Sequence, residues 1–168
     1  LGEDIGEDHL AGATRAVLMP QTVSPGVDHT LMVRGPWPAI VTTNWDDLLE
    51  DAWNNLPGKF KQHRGRLQRF YRHQAGDLLA HMKAGVRPLL FKSHGDLGAG
   101  EKEFVFTHRQ YRSLTLNETG TRHLMSLLCS EYSLLFYGCS LTDPDLLGFL
   151  DACHEGLGHA IGPHYWVT

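Results

Sequence analysis

Three short polar clusters carry the groups that chemistry on a sugar or an amide needs, and each follows an apolar run. The first is Thr42-Thr43-Asn44-Trp45-Asp46-Asp47. A carboxamide donates and accepts at once, so Asn44 suits a sugar hydroxyl or a second carboxamide. Asp46 adds an acceptor beside it. The second cluster is Lys92-Ser93-His94-Gly95-Asp96. An imidazole titrates at about pH 6.5, which makes His94 a candidate base near neutrality. The third is Gly138-Cys139-Ser140-Leu141-Thr142-Asp143-Pro144-Asp145. Gly138 lets a backbone approach closely, Ser140 offers a hydroxyl, and a helix starting at Pro144 presents free N–H groups to an anion. A phosphate or ribose suits that place.

The elements that must position these groups follow from the flanking pattern. Residues 39–43 form a mostly β-branched, non-alternating run whose apolar part ends in two threonines, which reads as a strand covered on both faces in a parallel sheet. The helix after it sets Leu48, Leu49, Ala52, Trp53 and Leu56 on one stripe and stops at Pro57-Gly58. Residues 88–92 and 133–137 read as further buried strands, 103–106 as a short one and 165–167 as the last. Helices are expected over about 76–84, from Thr107 through Tyr111 and Leu114, from Thr119 or Thr121 through Leu128, and from Pro144 to about His154. Asp143 before Pro144 pairs a capping carboxylate with proline at the first helical position, and Gly156 is expected to end that helix. Strand alternating with helix gives an α/β fold, Rossmann-like, with a mostly parallel sheet and helices on both faces. Right-handed crossovers put the C-terminal ends of parallel strands on one side. Asn44, Asp46, His94 and Ser140 are therefore expected around one crevice.

The remainder reads as one domain over 1–168. Residues 1–36 give little beyond short helical turns ended by Pro20 and by Gly35-Pro36. Residues 59–87 read as an insertion or small helical subdomain, and their basic cluster (Lys59, Lys61, Arg64, Arg66, Arg69, Arg72) as a solvated surface. A formal charge of −4 argues against a broad nucleic-acid face. No stretch reaches the ~20 apolar residues of a membrane span, and the acidic start is unlike a signal peptide. Cys129, Cys139 and Cys153 form no C-x-x-C pair and read as free, mostly buried thiols in a cytoplasmic protein.

Together the segments 42–50, 93–96 and 135–146 resemble the SIR2-like domains, bacterial relatives of sirtuins found in antiphage defence systems. The lead-in Pro36-Trp37-Pro38-Ala39-Ile40-Val41 and Phe106-Thr107 with Tyr111 add to the resemblance, which runs from about Val27 to the end. It implies a Rossmann-like domain with NAD as substrate; the cysteine and histidine spacings lead us to expect no metal. Asn44 would contact the nicotinamide ribose or position water, and His94 would contact ribose hydroxyls and act as base. Asp46 would lie by the carboxamide, with Thr43 and Gly95 beside these groups. Gly138 and Ser140 would hold the adenosine half, and Asp143 would mainly cap a helix. The resemblance also implies an associated or fused sensor domain and a tendency to homo-oligomerise.

Two departures from the sirtuin pattern bear on activity. The four-cysteine zinc module of the deacylases has no counterpart here, which disfavours deacylation and favours NAD hydrolysis to nicotinamide and ADP-ribose. The glycine-rich strand–loop that cradles a pyrophosphate has only Ala11-Gly12-Ala13-Thr14 as a candidate; either that piece lies upstream or the domain is incomplete. The competing reading is a non-catalytic NAD- or ADP-ribose-binding sensor or scaffold. Each residue has a plainer use as well: Asn44 as a helix cap, His94 as a histidine bonded to backbone, Ser140 and Asp143 as a strand end and helix start. His154, His159 and His164 do not share a helix face and carry no metal expectation.

Overall fold

A computed structural model describes residues 23–61, 65–96, 105, 119–140, 144–158 and 162–167, with positions 13, 16 and 17 before them. It divides into two compact units, residues 1–106 and 107–168.

In the first unit the order is α1 (Val27–Arg34), β1 (Ile40–Thr42), α2 (Leu48–Asn54), α3 (Gly58–Lys61), β2 (Gln68–Tyr71), a 3-10 turn (Arg72–Gln74), α4 (Ala75–Lys83) and β3 (Leu89–Lys92). The strands form one parallel sheet in the order β1-β3-β2. The central strand β3 is buried at every residue, as its unbroken apolar run predicts. Alternation along it divides the sheet into two faces. Leu90 packs with Val33, Leu49, Ala52, Trp53 and Leu56 from α1, α2 and the turn after it. Phe91 pairs in register with Phe70 of β2, so both look the other way, where Phe70 meets the His81 ring of α4. Helices thus cover both faces, the arrangement expected of an α/β fold. The predicted stripe on the helix after β1 is the one buried, apart from half-buried Leu48.

Several expectations change. β1 has one partner strand among the described residues, and Val41 is 38% exposed rather than covered on both faces. The stretch 59–87 supplies β2, a full member of the sheet, and not only helix. The strand placed at 103–106 and the helix after Thr107 fall outside the described residues, except Val105, which is buried.

The second unit contains α5 (Thr119–Glu131), β4 (Leu135–Tyr137), α6 (Pro144–Leu157) and β5 (Tyr165–Val167). β4 and β5 pair in parallel. The buried strand expected at 133–137 is short, and Leu135 and Tyr137 are 46% and 44% exposed. α6 starts at Pro144 as proline geometry requires but continues through Gly156. No helix among the described residues is long and apolar enough to cross a membrane.

Candidate functional site

The tips of β1 and β3 are set side by side by strand register. Thr42 is the partner of Lys92, so Asn44 and His94 each lie two residues past the same rung of neighbouring parallel strands. The two chains stay joined beyond that rung: the Ser93 N–H and hydroxyl both donate to the Thr42 carbonyl, at 3.0 and 3.1 Å. The Asn44 N–H then donates to Thr42 Oγ1 at 3.1 Å, a threonine turn that swings the chain off the sheet. Thr43 and Asn44 are exposed, and His94 is half-buried. Gly95 follows with φ +86°, a left-handed conformation that glycine adopts without strain. The His94 carbonyl accepts from the Val105 N–H at 3.1 Å.

The first turn of α2 completes this side. Asp46 Oδ1 accepts from the Leu48 N–H at 3.0 Å, so the carboxylate expected beside a ligand is engaged in starting the helix. Asp47, the residue at the cap position, makes no capping bond with its side chain. Its carboxylate turns instead toward the sheet, into an ionic cluster that the sequence pattern does not reveal.

That cluster surrounds Lys92, whose side chain is 1% exposed. Its ammonium donates to the Asp46 carbonyl at 2.6 Å and lies 3.1 Å from Asp47, 3.1 Å from Glu50 and 3.0 Å from Asp96. Arg69 of β2 enters from the far side, 2.8 Å from Asp96, 3.2 Å from Asp47 and 3.4 Å from Glu50. The Tyr71 hydroxyl donates to Asp96 at 3.3 Å. The sheet explains why these residues meet. Arg69 is the partner of Leu90 and Tyr71 of Lys92, so all of them project toward α2, which carries Glu50 and has Asp47 at its cap position.

Charge balance sets the protonation states. Burial works against the Lys92 ammonium, but Glu50 and Asp96 outweigh it and hold its pKa above the usual lysine value. Burial also works against Arg69, and Asp96 heads the contacts that more than offset it. The Glu50 carboxyl is pushed up by burial despite Lys92, and its Oε2 is buried without a hydrogen bond. Tyr71 is pushed up to about 12, by burial first and then by Asp96. Carboxylate oxygens of Asp47, Glu50 and Asp96 lie within 4.8 Å of one another, close enough to share a cation. The cations they share are Lys92 and Arg69, and a divalent ion would have to displace an ammonium already bonded to all three.

The third predicted tip belongs to the second unit. Gly138 has φ +67°, and a Cβ there would meet nothing within 4 Å. The glycine is therefore required by the turn rather than by a close approach. Ser140 is exposed, and Asp143 lies outside the described residues. In the same unit His164 Nδ1 accepts from the Leu134 N–H at 3.2 Å, holding the chain just before β4.

Comparison with known proteins adds what geometry alone does not. A family model for the SIR2-like domain matches residues 38–168. The NAD(+) hydrolase ThsA of Acinetobacter baumannii (strain 532279) is 29% identical over 122 residues, 73% of this chain and 23% of that protein. The matched stretch thus spans under a quarter of that relative's length.

Proposed function

Because the chain belongs to the SIR2-like domain family, we propose that it hydrolyses NAD to nicotinamide and ADP-ribose, with Asn44 and His94 at the reacting centre. One observation carries the assignment within the chain. The Thr42–Lys92 rung places a carboxamide and an imidazole at the same end of adjacent parallel strands, which is where α/β sheets bind ligands. The relative named as an NAD(+) hydrolase supports the choice of substrate.

The chemistry asks little of the protein beyond position. Cleavage of the bond between the nicotinamide nitrogen and ribose C1′ leaves an oxocarbenium-like sugar, as in glycoside hydrolysis. The bonding pair returns to the ring nitrogen, so the positively charged pyridinium leaves as neutral nicotinamide and no general acid is needed. Water adds to C1′ and loses one proton. Asn44 orients that water through its carbonyl oxygen or holds the ribose, and His94 receives the proton. Thr43 and Gly95 line the same tips. Asp46 acts through its backbone and the start of α2. The resemblance assigns Ser140 to NAD as well, and a raised KM for NAD in Ser140→Ala would support that assignment. The wider reading is NAD depletion in bacterial antiphage defence, with an associated sensor.

The test is release of free nicotinamide from NAD by the full-length protein, wild type against Asn44→Ala and His94→Ala. Loss of a positioned general base or water-orienting group is worth about 100-fold or more in rate. Wild-type turnover in both variants would remove the assignment. Saturable NAD binding with no nicotinamide released would identify a binding module instead.

A further inference from the structure

We propose that Lys92 is a positioning residue that holds the Asn44 turn against the His94 turn; the catalytic half of this proposal rests on the hydrolysis reading above. The turn leaving β1 is bonded to the end of β3 at both of its own ends. Before Asn44, the Thr42 carbonyl accepts from the Ser93 N–H and hydroxyl. After Asn44, the Asp46 carbonyl accepts from the Lys92 ammonium at 2.6 Å. Asn44 is thus the apex of a loop of which both feet stand on consecutive residues, Lys92 and Ser93, and His94 is the next residue in the chain.

The side chain chosen for the second foot is informative. A buried ion pair is weak evidence for stability, because replacing all of its members by apolar side chains of similar volume is often neutral. What an ammonium adds is direction. It donates to one named carbonyl, while Asp47, Glu50 and Asp96, all within 3.1 Å, fix its remaining donors and its place. Asp96 lies four residues past Lys92, so the segment carrying His94 and Gly95 is closed into the same cluster from its other side. Arg69 and Tyr71 brace Asp96 from β2. An apolar replacement of Lys92 would lose the aim.

Lys92→Met tests this in the full-length protein, because methionine keeps an unbranched stem and removes the donor. Two readouts separate the tether from the reaction. Amide exchange at Asn44, Leu48 and Ser93 should accelerate about 10-fold while the amides of α4 stay protected. The kcat for nicotinamide release should fall about 100-fold, with the KM for NAD within about threefold, as misplacement of a reacting group predicts. The double variant Lys92→Met/Asp96→Asn, which carries one negative charge fewer, repeats both measurements if the single variant does not fold. Unchanged exchange at those amides in a folded variant would overturn the tether. A lowered melting temperature with unchanged kcat per folded molecule would reduce Lys92 to a structural residue. If the wild type releases no nicotinamide, the hydrolysis reading fails, and the exchange measurement alone decides whether the tether exists.

Discussion

β3 and β4 are both short strands with a parallel partner, and both end in a polar tip, yet they stand in opposite surroundings. β3 has a strand on each side, is buried at every residue, and has a tip anchored by a lysine among three carboxylates. β4 has one partner among the described residues, and its first and last side chains are nearly half exposed. A polar tip after an apolar run is therefore not one kind of object. At β3 the tip is held by the chemistry beneath it. At β4 the turn is made by Gly138 and its backbone conformation.

The largest expected effect compares the two tips directly. Asp96→Ala removes a fully buried carboxylate from Lys92 and Arg69 and should cost about 3–5 kcal/mol, because it strands buried positive charge. Ser140→Ala, at an exposed position, should stay within about 0.5 kcal/mol. Urea unfolding of both variants measures the difference, and similar costs would show that the β3 cluster does not anchor its tip.

The strands themselves give the next contrast. Leu90 is fully buried in the core under α1 and α2, and Leu90→Ala should cost about 2–5 kcal/mol. Leu135 is 46% exposed, and Leu135→Ala should cost less than about 1 kcal/mol. A large loss at Leu135 would mean that β4 is covered in solution.

How much of this could be read in the chain differs between the same regions. The run Leu89-Leu90-Phe91-Lys92 announces a buried strand, because continuous apolar residues satisfy both faces of a parallel sheet. The stripe on α2 is legible for the corresponding reason at helical spacing. β2 is not legible. Gln68-Arg69-Phe70-Tyr71 carries a charge where a core strand would carry an aliphatic residue, and its arginine sits among five other basic residues that read as surface. Only the pairing of Arg69 with Leu90 reveals that it faces α2 and its acids. Asn44 and His94 are visible as candidates by type and by position after a strand. That they leave neighbouring strands at one rung is a property of register, which no local pattern encodes. Lys92 is hidden more deeply still, since a lysine closing an apolar run looks like the point where a strand meets solvent.

A smaller effect sharpens the claim about the β4 turn. Gly138 has open space around it and φ +67°, so an added methyl group meets backbone strain and nothing else. Gly138→Ala should cost about 1–2 kcal/mol. Gly76→Ala, in α4 with equally open surroundings and no positive φ, should instead be neutral or stabilising by about 1 kcal/mol. Equal costs at the two positions would show that the turn is not what requires glycine.

The subtlest test concerns the sign of a pH dependence within the β3 cluster. Glu50 ionises less readily in the folded protein than at its ordinary value of 4.5, because burial outweighs the attraction of Lys92. Between 4.5 and the raised value, the folded state therefore holds more of this proton than the unfolded state does. Linkage makes stability fall with rising pH across that window: the contribution is whole below 4.5 and is lost as pH climbs through the folded-state pKa. Glu50→Gln keeps an oxygen for Lys92 and has no proton to lose. Relative to the wild type, this variant should gain stability as pH rises from 4.5 toward neutrality. Urea unfolding of both proteins at several pH values measures the trend. A variant that instead loses ground as pH rises would show that the pull of Lys92 on Glu50 exceeds the cost of burial, and that the cluster prefers its third carboxylate charged.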